Sequence, residues 1–404
     1  MRVRFAVLNV ALVAVAVLAC TSSLDRRVAE DIAEQSTDQS FYVLDEPRAA
    51  GAPGDVVRVE PVDSIGDGQR AWRMLYHSTD LNGEDIVVSG VVVAPDAPTL
   101  VDRPVVAWAH PTTGAAANCA PSLSVDPFIL IEGLDDLVSA GYVVAATDYP
   151  GMGLPGTSSY LIGRSEGNSV LDAARAARNI AGTSAGDRLL LWGHSQGGQA
   201  ALFAAQDAAE YAPELQLEAV AVAAPAADLG ALLEDNLMAT AGVTIGSFAF
   251  EAYQRVYADR FPGLSLDSIL TPAGVAATPR LAKLCLLSGR QELQRVAHEL
   301  AGRYVSSDPA TTEPWATLLR ENTPGSTRIP VPLLVAQGDI DTLVHPEATA
   351  GFVATECALG TETQYRTIPK TGHGEVALRA LPAVLEVFAA ALAGQPMPDV
   401  GTPC

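Results

Sequence analysis

The sequence predicts the α/β class: a mostly parallel central sheet flanked by helices, with a helical cap or lid inserted late in the chain. Three observations carry that prediction. Residues 104–109, 142–147 and 188–192 are short, almost wholly apolar runs, as strands covered on both faces of a parallel sheet must be. Between the last two, Val170, Leu171, Ala174, Ala177 and Ile180 recur at helical spacing across residues 169–180, and strand–helix alternation of this kind builds parallel sheets. The rhythm breaks once, where residues 226–329 hold helical periodicity and few strand signals. That stretch is long for a plain connection inside a compact sheet.

Taken in order, residues 1–20 read as an export leader rather than as structure. Arg2 and Arg4 precede an apolar run over residues 5–19, which is short for a permanent membrane span. The run ends Val17-Leu18-Ala19-Cys20, which resembles a bacterial lipobox, where the Cys is diacylated and becomes the new N-terminus. An ordinary signal peptide cut near Ala19 is the alternative. Either way the protein is expected to be exported, as a cell-surface lipoprotein or an extracellular protein, with membrane association through lipidated Cys20 on the first reading. Residues 21–40 are polar and read as a tether; residues 41–225 and 330–404 then form the core around the cap at 226–329.

Within the core, residues 71–77 and 85–93 read as paired strands joined by a turn at Leu81-Asn82-Gly83. The Ala-rich residues 198–211 read as a helix, residues 217–224 and 331–337 as further buried strands, and residues 346–357 and 376–393 as closing helices. Inside the cap, residues 269–287 and 291–304 carry the clearest helical spacing.

Composition narrows the function. The 404 residues are 49% hydrophobic and 18% charged, enough apolar content for a large core. A formal charge of −22, with Lys283 and Lys370 the sole lysines, offers no basic stripe for nucleic acid. Apart from Cys20, the cysteines are Cys119, Cys285, Cys357 and Cys404. In an oxidising exterior they suggest two disulfides, with three pairings open. No C-x-x-C spacing and no neighbouring histidine suggests a metal site, and no cofactor is expected.

The chemistry is concentrated in Gly193-His194-Ser195-Gln196-Gly197, between an apolar strand and a helix. In G-x-S-x-G the glycines let strand and helix backbones approach closely, so the serine is forced into a strained turn with its hydroxyl exposed. This nucleophile elbow belongs to the α/β-hydrolase fold, where an acid and then a histidine follow the serine. Asp341, in the loop after the strand at 331–337, is the expected acid, and Asp339 is its rival. His373, in Thr371-Gly372-His373-Gly374-Glu375, is the expected base. An oxyanion hole needs two N–H donors. Gln196 N–H, directly after the serine, is one; the loop His110-Pro111-Thr112-Thr113-Gly114 supplies the other. Pro111 has no N–H, so Thr112 is the expected donor. Asp148 precedes Ser195 in the chain and is expected to pin its own loop instead.

Several of these blocks together resemble the secretory lipase family. They are His110-Pro111-Thr112-Thr113-Gly114 with Cys119-Ala120-Pro121-Ser122, Gly141-Tyr142-Val143-Val144 through Asp148-Tyr149-Pro150-Gly151-Met152-Gly153, Gly193-His194-Ser195-Gln196-Gly197-Gly198, and Gln337-Gly338-Asp339-Ile340-Asp341. The resemblance runs from about Phe41 to the C-terminus. It implies hydrolysis of carboxylic esters, often acylglycerols, beneath a helical lid, and the pairs Cys119–Cys285 and Cys357–Cys404. Pro111 departs from the His-Gly form usual in such loops. A lipophilic ester is thus the expected partner. A peptidase or amidase using the same triad, and a non-catalytic surface-binding lipoprotein, are the alternatives.

Overall fold

The computed structural model of the protein describes residues 39–44, 49–62 and 66–404. The leader with Cys20, and the tether as far as residue 38, lie outside the described residues. The strands are β1 (Val56–Val62), β2 (Gln69–Thr79), β3 (Asp85–Pro95), β4 (Arg103–Ala109), β5 (Val143–Thr147), β6 (Ala185–His194), β7 (Gln216–Ala223), β8 (Leu333–Gly338), β9 (Thr363–Ile368) and β10 (Thr402–Pro403). They form one sheet in the order β1-β2-β3-β5-β4-β6-β7-β8-β9-β10. From β5 to β9 all neighbours are parallel, while β1, β2 and β3 at one edge and β10 at the other pair antiparallel.

Helices cover both faces because the central strands are apolar on both. Side chains alternate across a strand, and β6 shows the consequence. Leu189 and Leu191 point into a core shared with α2 (Gly163–Asn179) and α3 (Gln196–Tyr211). Leu190 and Trp192 point the other way, into a core shared with α1 (Leu134–Ser139) and α10 (Val376–Leu392). That second core runs on without a break into the segment between β7 and β8. Helix α2 begins earlier than the apolar spacing predicts. Its first two turns bury Ser165, Glu166, Gly167 and Asn168, and a hydrophobic pattern does not register polar residues or glycine.

The segment between β7 and β8 is helical, as expected, but divided differently. It contains α4 (Leu229–Asn236), α5 (Thr240–Val256), α6 (Pro272–Leu281), α7 (Arg290–Leu300) and α8 (Trp315–Glu321), and α9 (Pro346–Leu359) follows β8. Where the sequence predicts helices over 269–287 and 291–304, α6 and α7 are shorter. Thr271 caps α6 through its side chain, with Pro272 in the first turn, so that helix cannot start earlier. Phe250, Tyr253, Tyr304 and Trp315 are fully buried and form the aromatic part of that shared core within the cap.

Two disulfides form, in the pairing that the family resemblance implies. Cys119–Cys285 ties the loop after β4 to the cap, and Cys357–Cys404 ties α9 to the last residue. The edge strands β1 and β10 carry no clear sequence signal. Pro61 in β1 cannot donate to a ladder, and an edge is where a strand tolerates it.

Candidate active site

Strand β6 ends and α3 begins at Ser195, whose φ of 58° is in the left-handed half of the backbone map. A non-glycine residue held there costs about 1–3 kcal/mol. The surroundings hold it: Ser195 N–H donates to Ala223 O at 2.9 Å, and its own carbonyl accepts from Ala226 N at 3.0 Å. The turn is closed tightly enough to demand glycine. A Cβ on Gly193 would lie 2.2 Å from Gly197 O, and one on Gly197 would lie 1.9 Å from Ala109 O.

Strands β8 and β9 deliver the other two groups beside this turn. His373 Nε2 is 2.9 Å from Ser195 Oγ, and His373 Nδ1 is 2.8 Å from Asp341 Oδ2. Asp341 is buried in the loop after β8, where its Oδ1 accepts from Leu343 N and Val344 N at 2.9 and 3.0 Å. Gln337 Nε2 donates to its Oδ2 at 3.2 Å. Asp339 is exposed and accepts from Thr371 N, away from the imidazole. Of the two acids weighed, the structure brings Asp341 to His373.

The electrostatics follow from burial and these bonds. Burial opposes the charge on Asp341, but the His373 bond and charge, with the two main-chain N–H groups, outweigh it and hold the carboxyl below its ordinary value. For His373, burial is the largest influence and lowers the imidazole below its ordinary value, although the bond to Asp341 pulls upward.

Gln196 is the first residue of α3, where helix N–H groups lack partners within the helix. Thr112 and Gln196 line the same cavity as Ser195 and His373, as does Pro111. Thr112 Oγ1 is hydrogen-bonded to Tyr160 OH at 2.9 Å. The cavity encloses about 640 Å³, and most of its wall is apolar, including Leu130, Leu161, Leu232, Ile245, Leu287, Leu293 and Val344. Core and cap each supply part of it.

Asp148 lies in a different network. Its carboxylate accepts from Ser122 N at 3.0 Å, from Ser89 Oγ at 2.5 Å and from the Ser122 hydroxyl, which pins the loop after β5 as expected. Glu166 is a group the sequence reading missed. It is fully buried in α2, and its Oε1 accepts from Gln196 Nε2 at 2.7 Å and from Leu161 N at 3.2 Å. Burial pushes its carboxyl well above the usual carboxylate range, against the pull of those two bonds. One carboxyl thus supports both the residue after Ser195 and a cavity-wall residue with φ of 56°. No group of three or more His, Cys, Asp or Glu among the described residues is arranged to hold a metal ion.

Comparison with known proteins finds relatives with lipase names, one of them named inactive. A protein named probable inactive lipase MT1628, from Mycobacterium tuberculosis, is 24% identical over 384 residues, covering 90% of this chain and 84% of the relative. Lipase 6 of Candida albicans is 23% identical over 401 residues, covering 89% of this chain and 82% of the relative. The closed-state structure of Candida antarctica lipase A superposes with a TM-score of 0.71 at 17% identity, covering 92% of this chain and 88% of that one, a likeness of fold. The model of the family described as secretory lipase matches residues 128–399, most of the core together with the whole cap, and the chain belongs to that family.

Proposed function

We propose that the protein is an exported serine hydrolase that cleaves lipophilic carboxylic esters, acylglycerols among them, through Ser195, His373 and Asp341. Family and fold support lipid ester hydrolysis. The observation that carries the finer reading is the hydrogen-bonded line Ser195–His373–Asp341 opening on an apolar cavity. A cavity of about 640 Å³ has the size of a small-molecule site, and its apolar wall suits an acyl chain better than a peptide.

In this mechanism His373 Nε2 takes the Ser195 proton as Oγ attacks the acyl carbon. The oxyanion is held by the N–H groups of Gln196 and Thr112, with the start of α3 directed at the developing charge. The tetrahedral intermediate collapses, and the alcohol leaves with the proton from His373. Water, deprotonated by the same imidazole, then releases the acid and restores Ser195. Asp341 keeps Nδ1 protonated and turned inward. The cap acts as the lid over this site. The leader at residues 1–20 exports the chain, with Cys20 as the point of lipid attachment.

Ser195→Ala should reduce release of nitrophenol from a nitrophenyl ester by at least about a thousandfold and abolish labelling by a fluorophosphonate, while the protein stays folded. An unlabelled wild-type protein with no ester turnover would overturn the reading and favour a surface-binding role. Faster turnover of peptides than of esters would favour a peptidase.

A further inference from the structure

His194, the residue before the nucleophile, is 3% exposed, and both of its ring nitrogens are engaged. Nδ1 is 2.8 Å from Glu132 Oε2, and Nε2 is 3.0 Å from the main-chain oxygen of His373. A carbonyl oxygen can only accept, so Nε2 carries a hydrogen and donates it. At Nδ1 a second hydrogen must lie between ring and carboxyl, because a bare lone pair facing a carboxylate would repel. The Glu132–His194 pair therefore directs a fixed N–H at the backbone of the base. The two imidazole rings are 5.0 Å apart.

The base needs such a hold. Thr371 at the base of the turn is buried and accepts from Ile340 N, but His373 itself lies between Gly372 and Gly374, and a Cβ added at either would meet nothing within 4 Å, so the turn is open on both sides of the imidazole. The turn has no side-chain cap, and its own closing bond, Glu375 N to Gly372 O, is long at 3.3 Å. Asp341 restrains the imidazole at one end, but rotation about that single bond could still swing Nε2 away from Ser195.

The Glu132 end is anchored independently. Trp192 Nε1 donates to Glu132 O at 3.0 Å. The next residue, Gly133, has φ of 90° and packs so closely on α10 that a Cβ would lie 2.5 Å from Leu381 Cδ1. The pair thus connects β6, the 128–134 segment and the turn that carries the base.

We propose that Glu132 and His194 are a positioning pair for His373: His194 Nε2–H holds the His373 carbonyl, and Glu132 orients His194. The proposal rests on the triad reading, since it assigns a support to that triad's base. Neither residue takes part in proton transfer.

The full chain tests it through a set of variants at His194 and Glu132. His194→Asn has a side chain that reaches only as far as Nδ1, so it loses the donor to His373. His194→Gln reaches the Nε2 position and restores an amide N–H there. We expect His194→Asn to lower kcat about tenfold to a hundredfold, the scale on which misplacing a reacting group by about 1 Å acts. KM should stay within about twofold and Tm should be little changed. His194→Gln should recover most of kcat. Glu132→Gln, whose amide can donate to Nδ1 of a neutral ring, should be milder than Glu132→Ala. The rate of fluorophosphonate labelling should fall in parallel with kcat. Unchanged kcat in His194→Asn would overturn the proposal, as would a loss matched by a fall in Tm and not recovered by His194→Gln. An active wild type that Ser195→Ala inactivates keeps the triad reading intact in both cases.

Discussion

Ser195 stands in a backbone conformation that a serine does not choose, and the neighbouring glycines make it possible. The same local logic reaches His373, where burial lowers the imidazole pKa. A lowered pKa means that the proton leaves at a lower pH, so the basic form is present above that value and is lost as pH falls through it. The acidic limb of kcat/KM should therefore have its midpoint below the ordinary histidine value of about 6.5; a midpoint above it in a pH–rate profile would contradict this environment. The acid can be tested by comparison. Asp341→Asn should cost on the order of a thousandfold to ten-thousandfold in kcat by leaving the wrong tautomer, while the exposed Asp339, bonded to Thr371 N, should tolerate Asn within a few-fold. The order Ser195, Asp341, His373 was legible because each residue sits in a strand-end pattern of its own. Glu132, His194 and Glu166 were not legible as partners of the site. Their contacts join residues 62, 179 and 30 positions apart in the chain, and no local pattern encodes such a meeting.

At the level of elements, the strand–turn–helix at β6 and α3 is the most constrained piece of the molecule. Gly197→Ala would place a Cβ 1.9 Å from Ala109 O, a backbone atom of β4 that has no room to move. We expect about 3 kcal/mol of destabilisation or more, read as a large drop in Tm together with loss of ester turnover. The buried strands were readable because two covered faces demand an unbroken apolar run. Helix α2 was readable only from residue 169 onward, since its first two turns bury Ser165, Glu166 and Asn168. Of these, Glu166 accepts from Gln196 at the elbow, while Asn168 donates to Thr79 in β2. The cap helices were recognised as helical but wrongly bounded. Their ends are set by the Thr271 cap and by the turn around Cys285 rather than by where apolar spacing stops.

Across the whole molecule, the cap is fastened to the core close to the proposed oxyanion loop. Cys119 is bonded to Cys285, and Leu286 N donates to Thr113 O at 2.7 Å. Gly114 packs so tightly beside that disulfide that a Cβ would lie 2.5 Å from Cys119 Sγ. Removing the link with Cys119→Ser and Cys285→Ser together should cost about 2–5 kcal/mol of stability, read as a lower Tm. Because Thr112 lies on the fastened loop, kcat should fall as well. The double Cys357→Ser, Cys404→Ser variant, whose link lies at the far edge strand, should lose stability without that loss of kcat.

The class of fold, the elbow, and the candidate serine, histidine and pair of aspartates follow from the sequence alone, because strand burial, tight turns and the glycine requirement are imposed by the backbone within a few residues. The family resemblance added the disulfide pairing that the spacings alone left open. Which of two neighbouring aspartates meets His373, how core and cap enclose one apolar cavity, and that His194 and Glu132 lie against the His373 turn are set by the folded arrangement. Those outcomes depend on which strand lies beside which and on the few ångströms between side chains far apart in the chain, and such distances exist only once the sheet has closed over its two cores.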